Sequence, residues 1–122
     1  MESDELTETI IGAAIEVHRI LGPGLLESIY ESALLVEMSL RGLIVEQQKE
    51  LDVTYKGYII KGLKIDLLVN GQVVVELKSV SRLAEVATAQ ALSYLKASGL
   101  KRALLINFGM PTLIEGVKRL SL

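Results

Sequence analysis

The chain has 122 residues and a formal net charge of −2, so it is long enough for one compact domain and lacks the basic footprint of a charge-driven nucleic-acid binder. It contains no cysteine, which excludes disulfide bonds, cysteine-ligated zinc and thiol catalysis. The acidic first residues and the lack of an apolar stretch of about 20 residues predict a cytoplasmic protein with no membrane partner.

Two amphipathic helices are predicted ahead of the first strand. Apolar residues recur at helical spacing from Leu6 to Leu21, and the Gly-Pro-Gly sequence at 22–24 ends this helix. The second helix runs through residues 25–41. The only histidine, His18, lies on the first helix, and we expect it to be a surface or hydrogen-bonded residue in preference to a metal ligand.

Strand patterns dominate the rest of the chain. Two alternating segments are joined by a Lys56-Gly57 turn, and Asn70-Gly71 predicts a second, tight hairpin. A third helix then leads to an almost fully apolar strand, which is typical of a right-handed βαβ crossover. The predicted bounds are strands at 44–56, 58–69, 72–80, 102–109 and 113–122, with the third helix at about 83–97.

The resulting order of elements is ααβββαββ. It predicts an α/β (α+β) protein in which helices flank a mixed central β-sheet. Because no linker, repeat or low-complexity segment interrupts the pattern, we expect residues 1–122 to form a single domain.

A carboxylate and an ammonium group stand side by side in the apolar strand 72–80. Side chains alternate between the two faces of a strand, so Glu76 and Lys78 share one face. Buried charges are costly unless they are paired or bound to a metal. A solvated ion pair is the more common explanation for so short a motif, and the motif alone does not separate an ion pair from a metal site.

Asp66 lies across the Asn70-Gly71 hairpin from Glu76. Two neighbouring carboxylates repel each other, and Mg²⁺ is the usual ion that compensates an all-oxygen site. If the turn contains only two residues, Asp66 pairs with Val75 and lies on the face opposite Glu76. A bulge or bend near Asp66 would return both carboxylates to one face.

Two pairs of polar residues lie on the predicted helices. Glu27 and Tyr30 are one turn apart at the start of the second helix, where an acid also favours helix initiation. Gln90 and Tyr94 are four residues apart on the third helix and share a face. Each pair alone is explained by an ordinary helix start or an exposed polar stripe.

Taken together, these residues resemble the motif set of the GxxExxY family, a branch of the PD-(D/E)XK nuclease superfamily. The resemblance extends from about residue 10 to residue 119, and its later motifs also resemble RecB-like exonuclease domains. Ile65 stands where the superfamily's name-giving proline would precede the first acid, and that proline is often missing. The matching positions are Gly24-x-x-Glu27-x-x-Tyr30, Asp66, Glu76-x-Lys78 and Gln90-x-x-x-Tyr94.

The resemblance implies a restriction-endonuclease-like core and a metal site within it. Asp66 and Glu76 would ligate Mg²⁺ or Mn²⁺, with the backbone carbonyl of Leu77 as a third ligand. Glu27 would contact the metal directly or through a water, and Lys78 would take the position of the catalytic lysine. The residues that would bind substrate or brace the site are Tyr30, Gln90 and Tyr94.

The predicted function is metal-dependent hydrolysis of phosphodiester bonds in nucleic acid, with DNA preferred over RNA. The alternative is a nuclease-fold module that binds nucleic acid or protein with little or no activity. A third hypothesis, a dimeric interaction module without a metal, rests only on the 50% hydrophobic composition. An acidic chain with one phenylalanine and no tryptophan is predicted to bind single strands poorly on its own. We therefore expect it to act as a homodimer, with a partner protein or on an unusual substrate.

Overall fold

The computed structural model describes residues 1–122, apart from the side chain of residue 3. Within these residues, three helices and five strands follow the order that the sequence predicts. The helices are α1 (Ser3–Leu21), α2 (Glu27–Leu40) and α3 (Glu85–Ser98). The strands are β1 (Val45–Tyr55), β2 (Tyr58–Val69), β3 (Val73–Lys78), β4 (Arg102–Asn107) and β5 (Val117–Ser121), and a short 3-10 helix (Ile114–Gly116) precedes β5.

Glycines end α1 and α3. The backbone N–H of Gly22 donates to the His18 carbonyl at 2.8 Å, and that of Gly99 donates to the Leu95 carbonyl at 2.9 Å. Both glycines have a positive φ, 70° and 74°, which a residue without a Cβ adopts at little cost. Among the described helices, none combines the length and the apolarity that crossing a membrane requires.

The five strands form one mixed sheet in the order β1-β2-β3-β4-β5, with β3 at its centre. β3 and β4 are parallel, and the other neighbouring pairs are antiparallel. Parallel neighbours need a crossover connection, and α3 supplies it. The predicted fold class is therefore confirmed: it is a mixed α+β architecture consistent with a restriction-endonuclease-like core.

Helices cover both faces of the sheet. α1 and α2 pack on the face that carries Val73, Val75 and Leu77, whereas α3 packs on the face that carries Val74. This double coverage explains why β3 is an almost uninterrupted apolar run. By alternation, Glu76 shares the α3 face with Val74 and is only 6% exposed.

The turn between β2 and β3 contains three residues. Asn70 and Gly71 have positive φ values of 51° and 64°, as the Asn-Gly pattern predicts. Gln72 also belongs to the turn, because its N–H donates to the Val69 carbonyl at 2.9 Å and the strand pairing starts at Val69 and Val73.

The extra turn residue shifts the register of the hairpin by one position. Leu67 pairs with Val75, so the two-residue turn, which would have paired Asp66 with Val75, does not form. Continuing the observed register brings Asp66 opposite Glu76, and directly opposite residues lie on the same face. The length of the turn therefore brings the two carboxylates opposite each other. β2 is also irregular at Asp66, as the expected bend required, since Ile65 and Leu67 pack on opposite faces of the sheet.

Candidate active site

Asp66 and Glu76 replace the backbone ladder between β2 and β3 with bonds from their own side chains. The N–H of Asp66 donates to Glu76 Oε1 at 3.0 Å, and the N–H of Leu77 donates to Asp66 Oδ2 at 2.8 Å. Each carboxylate is thus held by the backbone of the neighbouring strand. The position of this pair is fixed by the two strands and not by flexible side chains alone.

Gln48 of β1 approaches Asp66 from the edge of β2 that faces away from β3. β1 and β2 pair on both sides of Gln48 and Asp66 but not at these two residues, and Gln48 has a φ of 47°. Its side-chain nitrogen donates to Glu31 Oε1 at 3.0 Å and lies 3.4 Å from Asp66 Oδ1. Gln48 therefore links a carboxylate of α2 to the central carboxylate pair.

Burial and mutual repulsion perturb the Glu76 carboxyl. Burial and the negative charge of Asp66 raise the pKa of Glu76 from its usual 4.5 to about 8. The hydrogen bond from the Asp66 N–H and the positive charge of Lys78 act in the opposite direction and lower this pKa. In the absence of a further cation, the two carboxylates cannot both be ionised cheaply.

Two glutamates of α2 extend this acidic cluster. Partial burial and the charge of Asp66 raise the pKa of Glu27, and Lys78 opposes that rise. Partial burial and the charge of Asp66 also raise the pKa of Glu31. Sequence reasoning did not assign Glu31, although its spacing of four residues from Glu27 places both on one face of α2.

The residues predicted on α3 occupy different surroundings. Tyr94 is half-buried and packs against the cluster that contains Ile65 and Val74, on the sheet face that carries Glu76. Burial and the charges of Glu76 and Asp66 raise the pKa of its phenol. Gln90 is exposed one turn earlier on the same helix face. Tyr94 therefore lines the cluster, whereas the position of Gln90 leaves it accessible from solvent.

Tyr30 is fully buried beneath the start of α2. Its hydroxyl donates to the Gly22 carbonyl and accepts the N–H of Leu25 at 3.1 Å. Its ring stacks on Phe108 with centroids 4.4 Å apart. A buried ring cannot contact a nucleic-acid substrate, so of the two predicted roles its position favours bracing the loop that leads to Glu27.

His18 is buried near the end of α1. Its Nε2 is 2.9 Å from the Met110 carbonyl oxygen, and its ring stacks at 6.3 Å from that of Phe108. This contact agrees with the expectation of a hydrogen-bonded residue.

Two grooves are each lined by one of the candidate site residues. One, of about 580 Å³, is lined by the Pro23–Glu27 stretch and by Ser79–Ser81 after β3. The other, of about 510 Å³, lies between the β1–β2 hairpin and α3 and is lined by Tyr94. Glu27 thus lines the first groove and Tyr94 the second.

The sequence matches the family profile of the PD-(D/E)XK nuclease superfamily over residues 4–120. The chain belongs to the PD-(D/E)XK nuclease superfamily. A search of curated proteins and a search of solved structures found no significant match. Membership of this superfamily implies a nuclease-like function and the binding of nucleic acid.

PD-(D/E)XK nucleases typically use divalent metals, and the side chains of this site fit such an ion. The donor atoms are carboxylate oxygens, which Mg²⁺ prefers. The pKa of Glu76 is raised because burial and the charge of Asp66 disfavour its ionised form, and a bound cation would offset both effects. Across the described side chains, no group of three or more His, Cys, Asp or Glu residues is placed to hold a metal ion. Mg²⁺ does not require one, because it is commonly bound by one or two carboxylates and several waters.

Proposed function

We propose that this protein is a metal-dependent nuclease that hydrolyses phosphodiester bonds of nucleic acid, with DNA preferred over RNA. The observation that carries the proposal is the reciprocal bonding of Asp66 and Glu76 to each other's strands. It holds two repelling carboxylates together, which is unfavourable unless a cation joins them. Lys78 projects from the same face of β3 as Glu76.

Asp66 and Glu76 are the proposed ligands of Mg²⁺ or Mn²⁺. The Leu77 carbonyl is the proposed third ligand, and Glu27 would contact the ion directly or through a water. When bound, the ion would polarise the phosphoryl group and lower the pKa of a water.

The chain's own residues have separate roles in the proposed hydrolysis. Water adds to phosphorus, one P–O ester bond breaks, and the products are a phosphate monoester and a hydroxyl group. The Lys78 ammonium orients the attacking water and offsets the negative charge that develops on the phosphoryl oxygens. Gln90 and Tyr94, on the accessible side of α3, would contact the phosphate backbone.

Other features of the proposal concern the protein as a whole. The match over residues 4–120 supports one nuclease-like domain that spans residues 1–122. The Gly24-x-x-Glu27-x-x-Tyr30 motif supports membership of the GxxExxY branch. A cytoplasmic location stays a prediction from the sequence.

A homodimer is the proposed assembly. Ile29, Val36 and Leu40 of α2 are 47%, 61% and 77% exposed, and their spacing of seven and four residues places them in one stripe. An apolar helix stripe of this kind pairs well with its own copy across a two-fold axis.

Cleavage assays with matched variants test the proposal. The wild type and the variants Asp66→Ala, Glu76→Ala and Lys78→Ala are incubated with single-stranded DNA, duplex DNA and RNA in Mg²⁺ or Mn²⁺. We expect the wild type to cleave DNA and each variant to lose cleavage while its circular dichroism spectrum is unchanged. Glu46→Ala is the control, because Glu46 is exposed on β1 and paired with Lys49.

Calorimetric titration of Mn²⁺ separates the metal site from the chemistry. We expect the wild type to bind Mn²⁺ and Glu76→Ala to bind it much more weakly, whereas Lys78→Ala keeps its affinity. Binding of nucleic acid without cleavage under any metal condition would favour a nuclease-fold binding module instead. Variants that cleave as fast as the wild type would contradict the assignment of these residues.

A further inference from the structure

The β1–β2 hairpin extends well beyond the rest of the sheet. β2 pairs with β3 only from Leu67 to Val69, whereas its pairing with β1 continues to Tyr55 and Tyr58 at the tip. We call residues 50–64 the arm. The arm therefore stands beside the candidate active site with no third strand to cover it along β2.

Two exposed tyrosines flank the turn at the end of the arm. Tyr55 and Tyr58 are directly paired across the Lys56-Gly57 turn, and they are 59% and 74% exposed. Directly opposite residues of an antiparallel pair lie on the same face. Lys56 Nζ lies 5.6 Å from the centroid of the Tyr55 ring, within cation–π distance. The tip thus combines two aromatic faces with a positive charge.

The face that carries the tyrosines is continuous with the face of the active site. Val53 lies two residues before Tyr55, and it lines the 510 Å³ groove together with Leu63. Across the groove stand Tyr94 and Lys96 of α3. Tyr94 also packs against the cluster that contains Ile65 and Val74, on the sheet face of Glu76, so the groove lies beside the strands that carry the carboxylate pair.

We propose that the arm binds a single-stranded segment of the nucleic-acid substrate, with unpaired bases stacked on Tyr55 and Tyr58. This proposal rests on the proposed nuclease function and adds the form of substrate that the site accepts. Aromatic rings and positive charge along a groove are the usual means of binding single strands without sequence preference. The sequence has one phenylalanine and no tryptophan, but its tyrosines provide this platform.

The charges of the arm fit a phosphate backbone. Lys56 is exposed at the tip of the arm, and Lys96 is exposed on the facing side of the groove. Lys64 is also exposed, but it is directly paired with Glu50 on the opposite face of the arm. Asp52, which also lines the groove, is paired with Lys61 at 3.2 Å. Residues 50–64 contain three lysines and two acids, Glu50 and Asp52, so the arm has a formal charge of +1 in a chain whose formal net charge is −2.

The length of the arm sets the length of substrate that can reach its tip. Asp66 and Tyr58 are eight positions apart along β2, which is a distance of about 26 Å at the usual rise of a strand. About eight stacked nucleotides cover such a distance. Short oligonucleotides should therefore reach the carboxylates without touching the tyrosines.

Fluorescence anisotropy of labelled oligonucleotides in EDTA tests binding apart from cleavage. The probes are DNA and RNA strands of about 15 nucleotides, a strand of roughly 4 nucleotides, and a duplex of the longer DNA. We expect Tyr55→Ala/Tyr58→Ala to weaken binding of the longer DNA strand about tenfold or more, since stacking contributes strongly to each bound base. Binding of the short strand and of the duplex should be unchanged.

Two further variants separate stacking from other effects. Tyr55→Phe/Tyr58→Phe keeps the rings and should bind within about twofold of the wild type. Ile59→Ala removes an exposed side chain from the opposite face of the arm and should have no effect. Circular dichroism checks that each variant keeps its fold.

The outcomes distinguish this proposal from the proposed function. If the wild type cleaves DNA and Tyr55→Ala/Tyr58→Ala binds the longer strand as tightly as the wild type does, the arm proposal is wrong and the nuclease function stands. If the alanine variant instead changes the sedimentation coefficient and not the affinity, the tip is a protein contact. A wild type that binds neither of the longer strands would also overturn the proposal.

Discussion

The central chemical feature at the residue scale is a buried carboxyl group that the protein keeps at a cost. Glu76 is 6% exposed in a strand whose neighbours are apolar, and Asp66 adds a second negative charge. The backbone N–H of Asp66 offsets only part of this cost, since the pKa of Glu76 is still raised to about 8. Such a group destabilises the metal-free protein and is explained by a function that needs it.

Replacement of Glu76 by glutamine should stabilise the metal-free protein at high pH. The unfolded chain releases this proton near the usual pKa of 4.5, whereas the folded protein holds it until about 8. Folding is therefore favoured by this group at low pH, and its contribution declines as the pH rises from 4.5 to about 8. Urea unfolding in EDTA across this range should show that decline in the wild type and much less of it in Glu76→Gln.

The control for this experiment is Glu8→Gln, because Glu8 is exposed on α1 and away from the cluster. It should reproduce the pH dependence of the wild type. Equal pH dependence in Glu76→Gln and the wild type would contradict the raised pKa.

Tyr30 should contribute to stability through its hydroxyl. Tyr30→Phe removes the bonds to the Gly22 carbonyl and the Leu25 N–H but keeps the stacking on Phe108. The free energy of unfolding should fall by about 1–3 kcal/mol, which is the usual cost of leaving buried polar groups without partners. Tyr58→Phe, at a site that is 74% exposed, should leave urea unfolding unchanged. Equal free energies of unfolding for the two variants would show that the hydrogen bonds of the Tyr30 hydroxyl do not contribute to stability.

At the scale of elements, the end of β4 holds the chain segment that follows β3. The buried side chain of Asn107 accepts the N–H groups of Val80 and Gly109 and donates to the Val80 carbonyl, each at 3.0 Å. The N–H of Phe108 also donates to the Lys78 carbonyl at 2.8 Å. Hydrogen bonds from the end of β4 therefore hold the backbone at Lys78 and Val80 and fix the position of the proposed catalytic lysine.

Gly109, which lies beside these hydrogen bonds, should tolerate no side chain. A Cβ at Gly109 would overlap the backbone of Val80, which cannot move without breaking the bonds to Asn107. Gly109→Ala should lower the free energy of unfolding by about 1–3 kcal/mol and reduce cleavage, because Lys78 is displaced. Thermal unfolding and the cleavage assay measure the two effects.

Gly12→Ala is the matched control for that substitution. A Cβ there meets only the end of the flexible Arg41 side chain, at 3.1 Å. Gly12 lies inside α1, where alanine is favoured over glycine by up to about 1 kcal/mol. Gly12→Ala should therefore be at least as stable as the wild type, and a loss as large as that of Gly109→Ala would refute the steric argument.

At the scale of the whole molecule, two groups of apolar or aromatic side chains are exposed to solvent outside the core. The exposed stripe of α2 and the exposed tip of the arm lie on different elements. Our proposals give them different partners, a second copy for the stripe and unpaired bases for the tip. The whole-molecule consequence is that assembly and substrate binding should be separable by substitution.

Val36→Lys/Leu40→Lys should convert the proposed dimer to a monomer without unfolding it. Both side chains are exposed, at 61% and 77%, so lysine adds charge to the stripe and not to the core. Sedimentation velocity at micromolar concentration measures the change. Ser39→Lys, an exposed position on α2 outside the stripe, should stay dimeric. A wild type that sediments as a monomer would refute the homodimer.

Much of the fold was predictable because periodicity and turn residues are local properties. The order of elements and the mixed sheet were predicted correctly from these patterns. The register of the β2–β3 hairpin was not, because Gln72 has no feature that marks it as a turn residue rather than a strand residue. A single residue of turn length decides whether Asp66 and Glu76 share a face.

The candidate site divides in the same way. The sequence alone predicts that Glu76 and Lys78 share one face of an apolar strand, because side chains alternate between the two faces of a strand. Their neighbours in space are not, because Gln48 and Glu31 reach Asp66 from elements that are distant along the chain. The sequence alone determined the elements and the residue types of the site. Only the tertiary structure decided which carboxylates meet, buried Tyr30 and left the arm exposed, because packing and strand register depend on contacts between distant segments.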